Sequence, residues 1–201
     1  MTEVSTDMRV GTAARKAVKR RHIPGEPSMW FFVIGDLIIF GVYFVVYMYY
    51  RGLNQELFLD SQAKLNYNIG AVNTVVLLTS SLFVALGTSA ARAGKTADAY
   101  RLFCLALAAG AAFPVLKAFE YIPEIIAGMT PGTNLFFMFY YVMTGMHLCH
   151  VFLGLAILYF VVRNLRAPAE PRISLVETGA TYWHMVDLLW LVLFALLYLM
   201  R

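Results

Sequence analysis

The sequence predicts an all-α membrane protein built as a bundle of five transmembrane helices. Of its 201 residues, 60% are hydrophobic and 14% are charged, whereas a soluble domain carries about 25% charged residues. The mean hydropathy is +0.67, and the apolar residues fall into five runs, each near the roughly 20 residues that cross a bilayer. Because the runs are continuous and do not alternate with polar residues, transmembrane β-strands are not expected.

The connections between the runs separate the predicted spans. The segment 51–68 is long enough for a short surface helix, and the short connection 92–101 predicts that spans two and three are antiparallel neighbours. An uncharged Pro/Gly turn at 128–134 and a Pro-containing linker at 167–172 bound the last two spans, and Pro114 should kink span three. The predicted spans are residues 29–50, 69–91, 102–127, 135–162 and 179–200.

The charge distribution predicts how the bundle is oriented and divided. Residues 1–28 are expected to form a basic cytoplasmic tail with a lead-in turn, and residues 29–201 the bundle. Lysine and arginine concentrate in the tail and in the connections 92–101 and 163–172, so the positive-inside rule places the N-terminus in the cytoplasm and the C-terminus outside. This anchoring explains the net charge of +4 without a nucleic-acid partner. Neither a signal peptide nor a soluble catalytic domain is expected.

Several ionisable side chains fall inside the predicted spans. A central Asp or Lys costs about 2.5–3.5 kcal/mol in a span, so each such residue marks a structural or functional position. Lys117 and Glu120 are spaced i, i+3 and are expected to pair, although a substrate or proton role stays open. Asp36 stands alone in span one, where it could relay a proton, contact a lipid headgroup or remain a neutral hydrogen-bonded carboxyl.

The histidines raise the question of a metal site. His147 and His150 share a face of span four, but a zinc or copper site needs three or four ligands, and one helix face cannot bind a haem from both sides. The two cysteines, Cys104 and Cys149, lie within spans and indicate no disulfide. We therefore expect the histidines to bond carboxylates of neighbouring spans, and a span-four histidine to be the buried partner of Asp187.

Taken together, four sets of motifs resemble subunit III of the haem–copper oxidases, the cytochrome c oxidase subunit III family. Their order and spacing match along residues 29–200, nearly the whole chain. The motifs are Asn73-Thr74 in span two, Glu120-Tyr121 in span three, Thr144-Gly-Met-His147-Leu-Cys-His150-Val-Phe-Leu-Gly154 in span four, and Glu177 with Tyr182-Trp183-His184-Met-Val-Asp187-Leu-Leu-Trp190 in span five.

The chain departs from the larger family members in two ways. Those members have seven spans, and this chain matches the last five, so the phospholipid-holding cleft beside the first two helices would be absent or open. Family members usually carry a glutamate where this chain has Asp36, one methylene shorter. Small five-span members include NorE-type accessories of nitric oxide reductase and short oxidase subunits III, and both departures favour the NorE type.

The resemblance implies a chain that has no catalytic residue, haem, copper or other metal of its own. Haem and copper would belong to a partner catalytic subunit, and bound phospholipid is a candidate ligand. Asp36 and Lys117 are candidate proton or lipid contacts. The expected role of the other polar residues is a buried network that joins spans three to five, made of Glu120, His147, His150, Glu177, His184 and Asp187.

The function predicted from these observations is that of a non-catalytic accessory subunit of a respiratory haem–copper enzyme in the bacterial inner membrane, reducing oxygen or nitric oxide. Two alternatives remain. The chain could be an independent transporter or proton channel that uses Asp36, Lys117 and Glu120, or a metalloenzyme built on His147, His150 and His184.

Overall fold

A computed structural model describes residues 27–167 and 171–200. Within these residues all regular secondary structure is helical, and short turns connect the helices. Almost all of the predicted basic tail, residues 1–26, lies outside the described residues, as do 168–170 of the fourth connection and Arg201. The helices are α1 (Pro27–Leu53), α2 (Gln55–Gln62), α3 (Tyr67–Arg92), α4 (Thr96–Ile126), α5 (Leu135–Arg166) and α6 (Ile173–Phe194), and a π-helical turn (Ala195–Leu199) continues α6.

Five of these helices are long and apolar enough to cross a membrane, in agreement with the predicted bundle. The predicted surface helix between spans one and two is α2. The helices run further than the apolar runs: α4 and α5 have 31 and 32 residues, about 47 Å at 1.5 Å per residue. The apolar pattern is shorter because the terminal turns carry polar residues, such as Asp98 and Arg101 at the start of α4 and Arg163 and Arg166 at the end of α5.

Polar residues and glycine set the ends of the spans. The Asn66 side chain caps α3 by accepting hydrogen bonds from the amides of Asn68 and Ile69, and Asn134 caps α5 through the amide of Phe137, as expected of asparagine at an N-cap. Gly94, at φ +74°, makes the left-handed turn that reverses the chain between α3 and α4. Helix α4 continues across Pro114 and also across Pro123.

The four helices α3 to α6 form a ring, and α1 packs on its outside. Helices α4 and α6 each pack against both α3 and α5, while the α3–α4 pair is the most extensive, as the short connection predicts. Helix α1 rests on α6 and on α5, where Tyr47 packs edge-on against Phe139. The Tyr47 hydroxyl also donates to the carbonyl of Leu196, 3.2 Å away in the π-helical turn.

The side chain of Trp183 on α6 packs between α4 and α5 inside the ring. Its indole is fully buried and lies against two glycines, Gly110 of α4 and Gly154 of α5. A Cβ at Gly110 would be 2.7 Å from the Trp183 ring, and one at Gly154 would be 2.8 Å from it. Small residues of this kind let transmembrane helices approach closely, so α6 reaches the centre of the bundle.

Gly154→Ala should therefore destabilise the bundle by about 1–3 kcal/mol, the cost of overpacking a filled core. Unfolding of the purified chain by sodium dodecyl sulfate in mixed micelles, followed by circular dichroism, measures this loss. Gly145→Ala is the matched control on the same helix, because a Cβ there has no neighbour within 4 Å. Equal stability of the two variants would show that the packing of Trp183 does not require glycine at position 154.

Candidate functional site

Lys117 is the centre of a buried polar cluster that joins several helices. It lies on α4, is fully buried, and its Nζ donates to Glu120 Oε2 at 2.8 Å, as the i, i+3 spacing predicts. The same Nζ donates to the hydroxyls of Tyr140 on α5, at 3.1 Å, and Tyr198 in the π-helical turn, at 2.8 Å. All three protons of the ammonium can therefore bond, and each bond reaches a different side chain.

The two tyrosines extend the cluster to a second carboxylate. Tyr198 donates to Glu120 Oε1 at 2.5 Å, and Tyr140 lies 3.4 Å from Glu124 Oε1. Tyr141 also contacts Glu124, and its hydroxyl bonds the Met129 carbonyl at 2.8 Å in the connection that follows α4. The cluster thus ties α4, α5 and the end of α6 to one another.

Aromatic rings enclose the ammonium of Lys117. Its Nζ lies 4.8 to 5.4 Å from the ring centroids of Tyr140, Tyr121, Trp190 and Tyr198, within the range of cation–π attraction. Tyr121 is also hydrogen-bonded to Thr144 of α5. A charge in this position is compensated by carboxylate, phenol and ring together, which a single surface ion pair cannot achieve.

Three members of the cluster, Glu124, Tyr140 and Tyr198, were not among the predicted site residues. Glu124 was detectable, because it follows Lys117 by seven residues and Glu120 by four and so shares their helix face. The two tyrosines carried no such signal, since they come from other helices. The π-helical turn, which contains the i+5 bond from the Met200 amide to the Ala195 carbonyl, sets the position of Tyr198.

The two histidines of α5 face different neighbours. His147 is fully buried, and neither ring nitrogen has a hydrogen-bond partner within the described part of the chain. Its ring packs edge-on against Phe113, at 5.5 Å between centroids, and tilted against Trp190, at 5.3 Å. The expected carboxylate bonds of His147 are therefore not present in the structure.

His150 instead joins α5 to α1. Its Nδ1 is 2.8 Å from the Met146 carbonyl and its Nε2 is 3.4 Å from Asp36 Oδ1. Asp36, which the sequence left without a partner, thus lies beside an imidazole of α5. This carboxylate is not one of the three expected to bond His150, which were Glu120, Glu177 and Asp187. A step of three residues leaves the two side chains on one face, about 60° apart around the helix axis. His147 therefore meets α4 and α6, whereas His150 meets α1.

The remaining predicted residues lie along the α3–α6 interface. Glu177 pairs with Arg92 at 2.8 Å, and His184 Nδ1 is hydrogen-bonded to the Ser81 hydroxyl at 2.6 Å. Asp187 is buried and interacts with the same hydroxyl, while its Oδ1 has no hydrogen-bond partner.

The six residues expected to form one network therefore occupy separate sites. Glu120 belongs to the lysine cluster, His147 to an aromatic pocket, His150 to the α1–α5 contact, and the others to the α3–α6 interface. Two of the carboxylates expected to bond the histidines have other partners, Glu120 with Lys117 and Glu177 with Arg92. The third, Asp187, lies beside Ser81. Across residues 27–167 and 171–200, no three His, Cys, Asp or Glu side chains come close enough together to hold a metal ion.

Comparison with known proteins adds a direct similarity. The family model for cytochrome c oxidase subunit III matches residues 26–201. A cytochrome c oxidase subunit 3 of Thermostichus vulcanus is 29% identical over 172 residues, 84% of each chain, and that of Synechocystis is 33% identical over 84% of this chain and 72% of its own length. A haem–copper oxidase subunit I+III of Aeropyrum pernix is 31% identical over 86% of this chain and 22% of its own.

Lys117→Met should destabilise the bundle by about 3–5 kcal/mol, because removing one partner of a buried pair leaves the other charge uncompensated. Unfolding in dodecyl sulfate mixed micelles measures the change. Lys95→Met is the matched control, since Lys95 is exposed at the start of the same helix and should change stability by less than about 0.5 kcal/mol.

The double variant Lys117→Met/Glu120→Leu tests whether the two side chains stabilise the bundle as a pair. It should be less destabilised than Lys117→Met alone, because the isolated carboxylate is removed and apolar replacement of a buried pair is often close to neutral. The single variant Glu120→Leu completes the comparison. If the stability lost in the double variant equals the sum of the losses in the two single variants, the two side chains do not act together.

Proposed function

The chain belongs to the cytochrome c oxidase subunit III family, and from this we propose that it is a non-catalytic accessory subunit of a membrane-bound haem–copper oxidase that reduces oxygen. The match of the family model over residues 26–201, nearly the whole chain, carries the proposal. The five apolar helices that it covers make the chain a multi-pass membrane protein.

The partner in this proposal is the haem- and copper-bearing catalytic subunit. The relative from Aeropyrum pernix is named as subunits I and III together, and this chain aligns with 22% of its length. A natural fusion supports a direct and stoichiometric contact between the two subunits, because joining them fixes their ratio and their proximity. Haem and copper would be held by that partner, and phospholipid would occupy surfaces of this chain that the partner leaves open.

We assign oxygen and not nitric oxide as the acceptor, because the named relatives are cytochrome c oxidase subunits. The shortness of the chain had favoured the NorE type. However, the Thermostichus vulcanus and Corynebacterium diphtheriae proteins align over 84–85% of their length and the same share of this chain, so oxidase subunits 3 of similar length exist. Asp36 is then the single feature that favours the nitric oxide reductase accessory, and a carboxylate one methylene shorter is weak support.

The geometry suits a stabilising role. Lys117, Glu120 and the two tyrosines are bonded to one another inside the ring of helices, so the groups that a transporter would need for its cargo already have partners. The cluster ties α4, α5 and the end of α6 to one another, which would hold their outer faces in place for a second subunit. The orientation that accompanies this proposal has the N-terminus in the cytoplasm and the C-terminus outside the bacterial inner membrane.

Affinity purification of the tagged chain from its native membrane in a mild detergent tests the proposal. We expect the eluate to show a haem spectrum and to consume oxygen, because the catalytic subunit co-purifies. An eluate that consumes nitric oxide but not oxygen would assign the chain to a nitric oxide reductase, and a colourless eluate would remove the accessory role altogether.

The variants of the lysine cluster supply the internal control. Lys117→Met should reduce the haem recovered per tagged chain, because it loosens the ring on which docking depends, and Lys95→Met should leave the recovery unchanged. Undiminished recovery with Lys117→Met would show that the cluster does not support the complex.

A further inference from the structure

A polar groove opens on the outer surface of the ring between α3 and α6. It encloses about 240 Å³, and most of the residues that line it can form hydrogen bonds, in contrast to the apolar helix surfaces around it. The polar lining residues are Thr88, Ser89, Arg92, Glu177, Thr181 and His184. The Arg92–Glu177 ion pair lies at one end and His184 at the other. Ser81, whose hydroxyl bonds His184, lies beside that second end.

The inner end of the groove lies deep in the membrane. His184 is eleven residues into α6, and Ser81 is eleven residues before the end of α3, which places both about 16 Å from the helix ends on that side. Both residues also lie inside the apolar runs 69–91 and 179–200, which together with a hydrocarbon core about 30 Å thick places the histidine within the core. His184 is nevertheless exposed at the surface of the bundle.

An exposed imidazole at this depth is unfavourable against lipid. Acyl chains offer no hydrogen bond, and polar side chains inside membranes almost always face protein or a water-filled cavity. Ser81 bonds Nδ1 and so orients the ring, which leaves Nε2 as the nitrogen available to a further partner. The neighbouring Asp187 contributes a buried carboxyl oxygen with no bond of its own.

We infer that the α3–α6 groove is the surface on which the catalytic subunit docks, with a transmembrane helix of that subunit placing a hydrogen-bonding side chain against His184. This inference rests on the proposed function. The groove is smaller than the roughly 300–1,000 Å³ of typical ligand pockets, so it fits one or two side chains better than a free ligand or a lipid.

Site-specific photocrosslinking in native membranes tests whether the catalytic subunit docks on the groove. The photoreactive residue p-benzoylphenylalanine replaces Leu188, which lies one turn from His184 and is 51% exposed. The matched control is Leu105 of α4, which is 52% exposed. It lies at the depth of Ser81, because the Ser80 hydroxyl bonds the carbonyl of Ala106. We expect irradiation to join position 188 to the haem-bearing subunit and position 105 to lipid alone.

Other crosslinks would overturn the inference. Products of position 188 that contain only lipid, or a second copy of this chain, would assign the groove to those occupants. A haem-subunit product from position 105 and not from position 188 would move the docking surface to α4. Purification of the unsubstituted chain in parallel keeps the two proposals distinct, because a colourless eluate would refute the accessory role itself, whereas a haem-bearing eluate with the wrong crosslink refutes only the groove.

Variants of the histidine provide a second readout. His184→Leu should weaken retention of the haem subunit in detergent about threefold to twentyfold, the range of measured interhelical hydrogen bonds in membranes. Leu105→Ala should leave retention unchanged, and circular dichroism of both variants should show the wild-type helix content. Wild-type retention by a folded His184→Leu variant would contradict the proposed contact.

Discussion

The bundle depends on the burial of the Lys117 ammonium. A lysine inside a membrane protein needs partners at every proton, and this one has a carboxylate and two phenols from three different segments of the chain. Each partner can reach Nζ only if its helix holds its place. The cluster therefore couples the positions of α4, α5 and the end of α6, in a way that apolar packing alone does not, since apolar surfaces can slide past one another.

The contact of Trp183 with two glycines positions the same helices by close packing, without hydrogen bonds or charge. Trp183 fills the space left by Gly110 and Gly154, so α6 lies deep in the ring and carries its polar residues to defined positions. The lysine cluster fixes the far end of α6 through the π-helical turn, and Trp183 fixes its middle. Between them they set the exposed line of α6 on which His184 and Leu188 lie.

The polar residues thus divide into two groups with different surroundings. Those at the centre bond one another, and their role is complete within this chain. In the α3–α6 groove, Arg92 pairs with Glu177 and Ser81 bonds His184, but the His184 ring is exposed at the bundle surface.

The sequence by itself determined the five spans, the short helix between the first two, the neighbouring pair α3 and α4, the Lys117–Glu120 pair and the family. These properties are local or are carried by motif order: hydropathy over some twenty residues, a three-residue helical step, and a short connection. The tertiary structure decided which helix faces meet. It separated His147 from His150, gave Asp36 a partner, and brought Tyr140 and Tyr198 to Lys117. Only the packing of distant helices, set by Trp183 and the π-helical turn, specifies such contacts, because a periodic pattern gives the face of a residue but not the neighbour that it meets.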